Sequence, residues 1–329
     1  MNVLVTGACG YIGSHAIRAL RNAGHQPIAL DNLSTGHRGA LLPGVPFIEL
    51  DVRDTASLQK ELESRAVDCV MHFAAFIAVG ESVEQPLRYF DNNTRGTLSM
   101  LQAVHQAGVP RVIFSSTAAT YGEPETMPIR EDAAQQPINP YGWSKLFSER
   151  MLFDYAASNP QFSFAALRYF NVVGCAADGS IGEDHRPETH LVPLILQAAQ
   201  GKREKVTVYG EDYPTPDGTC VRDYVHVEDL VEAHVAVAAA LAPGKRLAYN
   251  LGIGRGYSVR EVIDATRSVV GRDFRVDIGE RRPGDPPQLY ADPAKIAREI
   301  GWVAQRTDIR EAIESAWRWC ESHPNGYPD

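Results

Sequence analysis

Short, nearly continuous apolar runs alternate with helix-length amphipathic stretches through the first half of the chain, and this alternation constrains the fold more than any other feature. The runs are Val3-Leu4-Val5, Pro27-Ile28-Ala29-Leu30, Phe47-Ile48, Cys69-Val70-Met71, Val112-Ile113-Phe114 and Phe164-Ala165-Ala166-Leu167. A strand that is apolar at successive positions is buried on both faces, as parallel strands covered by helices are. Helices are predicted over 11–23, 54–64, 83–107 and 140–158. The last opens with Pro140, whose fixed φ and missing N–H suit the first helical position. Repeated βα units of this kind imply an α/β fold with a doubly wound parallel sheet.

Beyond residue 170 the pattern loosens into a loop-rich stretch with Gly174, Gly179, Gly182 and Pro187, then isolated helices and strands. The division read from this is a Rossmann domain over 1–170 and a smaller C-terminal α/β lobe over 171–329. Two late strand candidates, Val225-His226-Val227 and Leu247-Ala248-Tyr249, fit either. Ser258 with Glu261, and Asp308 with Glu311, have the three-residue offset of a capping box. Lys plus Arg number 32 against 41 Asp plus Glu, a net charge of −9 with no dense basic run, so no nucleic-acid face is expected. Five scattered cysteines without C-x-x-C spacing fit a reducing compartment better than a disulfide framework or a zinc site. Met1 leads at once into the first strand pattern, with no signal peptide, and no apolar stretch reaches the ~20 residues of a membrane span. The expectation is a cytoplasmic protein without membrane contact.

Gly7, Gly10 and Gly13 follow the first strand and open the first helix, with Tyr11 and Ile12 between them. Glycines there permit a tight turn and let backbone N–H groups approach a pyrophosphate at the positive end of a helix. Asp31 ends the second strand, 18 residues beyond Gly13, where a carboxylate accepts the ribose hydroxyls of an adenosine half and favours NAD over NADP. Without the upstream glycines, Asp31-Asn32 would read as a solvated turn. The loop Asn32, Leu33, Ser34, Thr35 and Gly36 continues the same site. Asp51-Val52 and Phe73-Ala74-Ala75 fall at the C-terminal ends of the third and fourth strands, where the crevice of such a sheet lies.

Tyr141 and Lys145 stand at i and i+4 and so share a helix face, and Thr117 follows the fifth strand. A phenol is ordinarily protonated at neutral pH, but a neighbouring ammonium and a cationic nicotinamide ring would favour the phenolate, making Tyr141 a general base. Neither the glycine pattern nor Tyr-x-x-x-Lys is specific alone; their joint occurrence in this order, with a hydroxyl residue upstream, is the signal.

With these motifs the chain resembles the extended short-chain dehydrogenase/reductase superfamily and, within it, the UDP-glucose 4-epimerase family. The likeness runs from Val5-Thr6-Gly7-Ala8-Cys9-Gly10-Tyr11-Ile12-Gly13 to the closing His323-Pro324-Asn325-Gly326-Tyr327-Pro328-Asp329. Between them it includes Val79-Gly80-Glu81-Ser82, Asp91-Asn92-Asn93, Asn139-Pro140-Tyr141-Gly142, Gly218-Thr219-Cys220-Val221-Arg222-Asp223-Tyr224-Val225-His226-Val227 and Tyr249-Asn250-Leu251-Gly252.

The resemblance implies a hydride shuttle without net redox. Permanently held NAD takes hydride from sugar C4 while Tyr141 takes the O4 proton, the 4-ketose turns over, and UDP-galactose and UDP-glucose interconvert. It further implies that Thr117 hydrogen-bonds O4, that Lys145 binds the nicotinamide ribose and depresses the tyrosine pKa, and that Asn92 and Phe170 line the cofactor. Arg222 and Arg282 match diphosphate contacts, Asp285 a uridine-ribose contact, and Asn171, His190, Leu191 and Tyr209 positions around the sugar and nucleotide. Planar guanidinium forks suit phosphate oxygens.

Four departures from the family pattern stand out. Thr117 replaces a serine and keeps the hydroxyl. His190 replaces an asparagine. Ile77 replaces a lysine near the pyrophosphate, removing a charge-assisted contact generally worth ~1.5–3 kcal/mol. Leu289 replaces a tyrosine that narrows the sugar pocket, which implies activity on UDP-N-acetylgalactosamine and UDP-N-acetylglucosamine.

Trp143, Phe147 and Met151 recur every four residues on the face away from Tyr141, either as core packing or, as the resemblance implies, as a homodimer contact with the 83–107 helix. The Glu183-Asp184-His185 run reads as a polar loop without a partner cluster, so no metal is expected. A 4,6-dehydratase is disfavoured because Ala118-Ala119 stand where such enzymes carry an Asp-Glu pair. A catalytically silent NAD-binding protein is disfavoured by the presence of both Tyr141 and Lys145. UDP-arabinose/UDP-xylose and UDP-uronate epimerases remain open.

Overall fold

Every apolar run of the first half becomes a strand of one parallel sheet in the computed structural model, which describes residues 1–282 and 285–328. Asp329 of the closing motif lies outside the described residues. In chain order the first half is β1 (Asn2–Thr6), α1 (Tyr11–Asn22), β2 (Gln26–Asp31), β3 (Phe47–Glu49), α2 (Thr55–Ser64), β4 (Cys69–His72), α3 (Val79–Glu84), α4 (Pro86–Tyr89), a π turn over Phe90–Arg95, α5 (Gly96–Gln106), β5 (Arg111–Thr117), α6 (Pro140–Ser158) and β6 (Ser163–Tyr169). The second half adds β7 (Asn171–Val173), α7 (Leu191–Ala199), β8 (Val206–Tyr209), β9 (Val221–Arg222), β10 (Tyr224–His226), α8 (Val227–Ala240), β11 (Arg246–Leu251), β12 (Tyr257–Ser258), α9 (Val259–Val270), β13 (Val276–Gly279), β14 (Gln288–Leu289), α10 (Ala294–Ile300) and α11 (Ile309–Ser322).

The central sheet runs β3-β2-β1-β4-β5-β6-β11, with strand order reversing between β1 and β4. Its alternate residues feed two cores. Val3, Val5, Met71, Ile113, Ala165 and Leu167 face α1 and α8, which contribute Ile17, Leu20, Leu230 and Val237. Leu4, Val70, Val112, Phe114, Phe164 and Ala166 face α2, α5 and α6 through Leu58, Leu62, Met100, Val104 and Leu152. Burial on both faces is why these strands read as unbroken apolar runs. A third core joins α7, α9 and α11 to β8 and β13.

Two expectations are corrected and one left open is decided. The single helix over 83–107 is broken: Pro86 starts a new turn at α4, and the π turn precedes α5. Proline lacks the N–H that would continue α3, and a π turn inserts a residue into the helical ladder. Of the two late strands, β11 pairs with β6 in the main sheet, whereas β10 pairs with β7 outside it and Val227 already belongs to α8. Of the two capping boxes, Ser258 and Glu261 close theirs reciprocally, but the Asp308 carboxylate accepts from the Arg310 N–H instead of from Glu311. Among the described residues no helix is long and apolar enough to cross a membrane.

Candidate active site

The reversal of strand order between β1 and β4 opens a crevice at their C-terminal ends, and the glycine turn fills it. Gly7 has φ +69°, and a Cβ there would stand 2.7 Å from the Ala74 nitrogen. The turn therefore requires glycine, and through it Phe73, Ala74 and Ala75 close against β1; the Phe73 N–H donates to the Thr6 carbonyl at 3.0 Å. Gly10 caps α1, and Tyr11, Ile12 and Gly13 form its first turn, whose N–H groups have no intrahelical acceptor. Helix N-termini of this kind suit a pyrophosphate. The Tyr11 ring points elsewhere: its hydroxyl donates to the Gly174 carbonyl and its edge meets His185.

Asp31 is 7% exposed at the end of β2. Its carboxylate accepts from the Cys9 N–H at 2.9 Å and the Leu33 N–H at 2.8 Å, and burial lifts its pKa above the usual value against these donors. Each oxygen keeps a lone pair for a ribose hydroxyl. Leu33 takes the left-handed φ of 57°, the Asn32 amide donates to Asp51 at 3.0 Å, Ser34 and Thr35 are exposed, and Gly36 lies against Cys9. Arg53 clamps Asp51 and holds its carboxyl well below the usual range, while Val52 is buried beside Gly96. These residues fit NAD: a cradle too tight for a Cβ, a helix N-terminus, and a carboxylate where a 2′-phosphate would be repelled.

The chemistry residues come from β5 and α6. Thr117 ends β5, where its hydroxyl accepts from the Ala119 N–H at 3.1 Å. The Asn139 side chain caps α6 by accepting from the Gly142 N–H at 2.8 Å, and a Cβ on Gly142 would lie 2.6 Å from the Ala119 carbonyl oxygen. That close approach sets the first turn of α6, with Tyr141, against the turn after Thr117. Burial raises the Tyr141 pKa, and the Thr117 hydroxyl beside it works in the opposite direction. One turn on, Lys145 is 3% exposed, donates from Nζ to the Ser115 carbonyl at 2.8 Å and stands 5.1 Å from the centre of the Phe114 ring. Burial lowers its pKa to about 7, against the attraction of Glu149.

Glu149 escaped the sequence reading although its spacing, four residues beyond Lys145, was available. It is buried under the site and takes a two-pronged contact from Arg168 of β6, Nε at 2.9 Å and a terminal nitrogen at 2.6 Å, plus the Ser116 hydroxyl. Removing one partner of such a pair leaves an uncompensated buried charge, typically ~3–5 kcal/mol. Asn93 was missed as well. Within the π turn it is 2% exposed, accepts from the Phe76 N–H at 2.9 Å and donates to Ser144 at 3.0 Å, tying the crevice loop to α6. Its neighbour Asn92, the residue named from sequence, donates to the Asn93 side chain at 3.0 Å.

Residues expected around a nucleotide sugar gather on the second lobe. Arg222 of β9 and Arg282 both bond Asp285, the latter at 3.0 Å, and the Arg282 guanidinium lies 4.8 Å from the centre of the Tyr209 ring. Two cations and one carboxylate leave a net positive charge there. Leu289 pairs in register with Arg222 and packs with Phe170 and Ala118, so this constellation adjoins the turn after Thr117. Asn171 opens β7, its N–H donating to the Asp223 carbonyl at 3.0 Å. His190 caps α7 and Leu191 begins it.

The loop before α7 departs from expectation. Glu183 and His185 do have a partner cluster: with Glu188 and His190 they bring one donor atom each within 4.8 Å of one another. Only Asp184 turns away, to Arg186, His37 and the Tyr327 N–H. Folding of the loop, invisible in a linear scan, makes this cluster.

The match to known proteins covers the whole chain. Residues 3–252 match the NAD dependent epimerase/dehydratase family. A UDP-glucose 4-epimerase of Lacticaseibacillus casei is 48% identical over 100% of this chain and 99% of its own. A solved UDP-glucose 4-epimerase of Bifidobacterium longum, in complex with NAD+ and UDP, superposes with a TM-score of 0.95 at 41% identity, covering 99% of this chain and 100% of that one. A UDP-Glc/GlcNAc 4-epimerase of Campylobacter jejuni has a TM-score of 0.86 at 41% identity over 98% and 99%.

Proposed function

This chain belongs to the NAD dependent epimerase/dehydratase family, and we propose that Tyr141, Lys145 and Thr117 carry its reaction. The protein is an isomerase that interconverts UDP-galactose and UDP-glucose at C4, with NAD as cofactor. The observation that carries the residue assignment is the stacking of Tyr141 and Lys145 on one face of α6 against the turn that presents Thr117.

When bound, NAD supplies a reversible hydride acceptor at sugar C4. Tyr141 takes the O4 proton as C4 is oxidised and returns it after the 4-keto sugar has turned over, while the Thr117 hydroxyl holds O4. Burial alone keeps Tyr141 protonated, so its ionisation draws on positive charge from Lys145 and the nicotinamide ring. Lys145 commits one of its three protons to the Ser115 carbonyl and has two for the nicotinamide ribose. Glu149 positions Lys145 electrostatically.

The turn Gly7–Gly13 takes the pyrophosphate on the backbone N–H groups of Tyr11, Ile12 and Gly13, with Gly7 and Gly10 shaping the turn through the Gly10 N–H to Gly7 carbonyl bond, and Asp31 takes the adenosine ribose. Arg222 and Arg282 bind the substrate diphosphate, with Asp285 holding their forks in place and reaching the uridine ribose. Tyr209, Asn171, His190 and Leu191 complete the nucleotide-sugar contacts. Leu289 leaves room for an N-acetyl group. A second copy of the chain covers the exposed apolar face of α3 to α6, where Val83, Leu87, Leu98, Trp143 and Phe147 lie. A cytoplasmic, reducing location is supported by five unpaired cysteines.

The test is anaerobic incubation of the purified protein with UDP-galactose and no added cofactor, with anion-exchange separation of the nucleotide sugars. UDP-glucose is expected without net NADH, and a parallel incubation with UDP-N-acetylgalactosamine is expected to give UDP-N-acetylglucosamine. No product from UDP-galactose even with NAD added would overturn the assignment in favour of UDP-pentoses or UDP-uronates.

A further inference from the structure

The segment between β7 and α7 carries the spacing Glu-x-His twice, Glu183-Asp184-His185 and Glu188-Thr189-His190, separated by two residues. Folding turns both pairs inward. The closest approaches are 2.7 Å between Glu183 Oε1 and His190 Nδ1, 3.2 Å between Glu183 Oε1 and His185 Nδ1, 3.3 Å between Glu188 Oε1 and His190 Nδ1, and 3.6 Å between Glu188 Oε2 and His185 Nδ1. Despite these distances Glu183 Oε1, His185 Nδ1 and His190 Nδ1 are buried with no hydrogen-bond partner, so the groups converge without lying in hydrogen-bonding line. The Glu183 side chain is only 7% exposed and the Glu188 side chain 5%. Without an ion the cluster is held by these close carboxylate–imidazole contacts, none of them an aligned hydrogen bond at the three buried atoms, and a cation at their common point would give all three a partner.

We propose that Glu183, His185, Glu188 and His190 bind one divalent transition-metal ion of the zinc class. Ligand bonds of about 2.0–2.1 Å in a tetrahedron put donor atoms about 3.3 Å apart, and the three approaches among Glu183 Oε1, His185 Nδ1, His190 Nδ1 and Glu188 Oε2, at 2.7, 3.2 and 3.6 Å, bracket that edge. Two carboxylates with two neutral imidazoles balance a doubly charged cation, and the mixed nitrogen and oxygen donor set suits zinc better than calcium or magnesium, which take oxygen ligands. Outer contacts already orient the ligands: Glu188 Oε1 accepts from the Thr189 N–H at 2.6 Å and the His190 N–H at 2.7 Å. The His190 side chain, 38% exposed, gives the ion a path from solvent. Four protein ligands leave no open position, so the role is structural. The ion pins the loop to the cap of α7 and to Tyr11, whose edge lies on His185. The site shares His190 with the nucleotide-sugar contacts assigned above, and bound zinc, unlike turnover, reports on the site alone.

The experiment removes metal from the full chain by dialysis against a chelator and titrates Zn2+ back, reading bound zinc per chain. One equivalent is expected for the wild type, and E183Q and H185Q are expected to bind ~100-fold more weakly or worse, since even outer-shell changes cost about 10–100-fold. Crystals of the wild type soaked in Zn2+ are expected to show an anomalous difference peak among the four donor atoms, a readout that does not depend on the variants folding. No zinc bound by the wild type, equal binding by the variants, or a peak elsewhere only would each overturn the site and leave the cluster as carboxylate–imidazolium pairs.

Discussion

Burial opposes the ionisation of Tyr141, the proposed general base, so its hydroxyl is where the proposed mechanism is tested most directly. Tyr141→Phe deletes that oxygen and keeps the ring that meets Tyr89 edge-on at 6.5 Å. General-base removal typically costs ~10²–10⁴-fold in rate, and that fall in kcat is expected for UDP-galactose. The unfolding free energy is expected to stay within about 0.5 kcal/mol of the parent, because packing is unchanged. Steady-state kinetics with denaturant melts check both, and an unaltered kcat would remove Tyr141 from the mechanism. Ile77, 41% exposed, offers no cation to a pyrophosphate, so the proposed binding at the α1 turn rests on its N–H groups without that help. Tyr141, Lys145 and Asp31 were legible as letters at set spacings. Glu149 and Asn93 were not, since their importance lies in partners distant in sequence, Arg168 and Phe76.

Helix α6 works on two faces. Inward, Tyr141, Lys145 and Glu149 follow one another at four-residue steps. Outward, Trp143 and Phe147 are 39% and 43% exposed with ring centres 5.5 Å apart, and the Phe90 ring lies tilted beside Phe147 at 6.0 Å. Met151, which the spacing grouped with them, instead packs half-buried against the core that α5 shares. Val83 and Leu87 extend the outer patch at 63% and 80% exposure. Apolar surface of this extent on one side marks an interface. Sedimentation velocity is expected to show twice the chain mass, and Phe147→Glu, which would bury a charge between copies, is expected to halve it. A parent protein that sediments as a monomer at micromolar concentration would rule the interface out.

Across the whole molecule, four histidines are buried and held neutral. Burial pulls His15, His226 and His234 down to about 4, and His72 to about 3 with Lys145 adding to the effect. Their unfolded value is 6.5, so below it the unfolded chain takes up protons that the folded chain refuses. Stability is therefore full above about pH 6.5 and is lost as pH falls toward 4, at ~1.4 kcal/mol per pH unit for each histidine. Asp223 opposes this: burial raises its pKa from 3.8 to about 7 despite three backbone N–H donors, so the folded state keeps a proton there that the unfolded state releases. In His185 and His190 burial is outweighed by the Glu183 and Glu188 carboxylates, which raise them to about 9 and about 10. They likewise keep protons that the unfolded state releases, until both states are protonated below about pH 6. Stability is therefore nearly level between pH 7 and 6 and falls steeply below pH 6. Urea unfolding at pH 6, 5.5 and 5 is expected to give falling midpoints, and midpoints that stay level or rise over that range would contradict the assignment.

The sequence by itself determined the parallel βα order, the glycine turn, the acidic end of β2 and the Tyr141–Lys145 face. Each of these is set by local rules: contiguous burial, a backbone conformation, or the pitch of a helix. Tertiary structure alone decided that β11 joins the sheet while β10 pairs with β7, that Arg168 meets Glu149, that Arg222, Arg282 and Asp285 converge, and that two Glu-x-His pairs face one point. These depend on which surfaces bury each other once the chain has folded, and contacts between residues far apart in sequence leave no periodic trace in it.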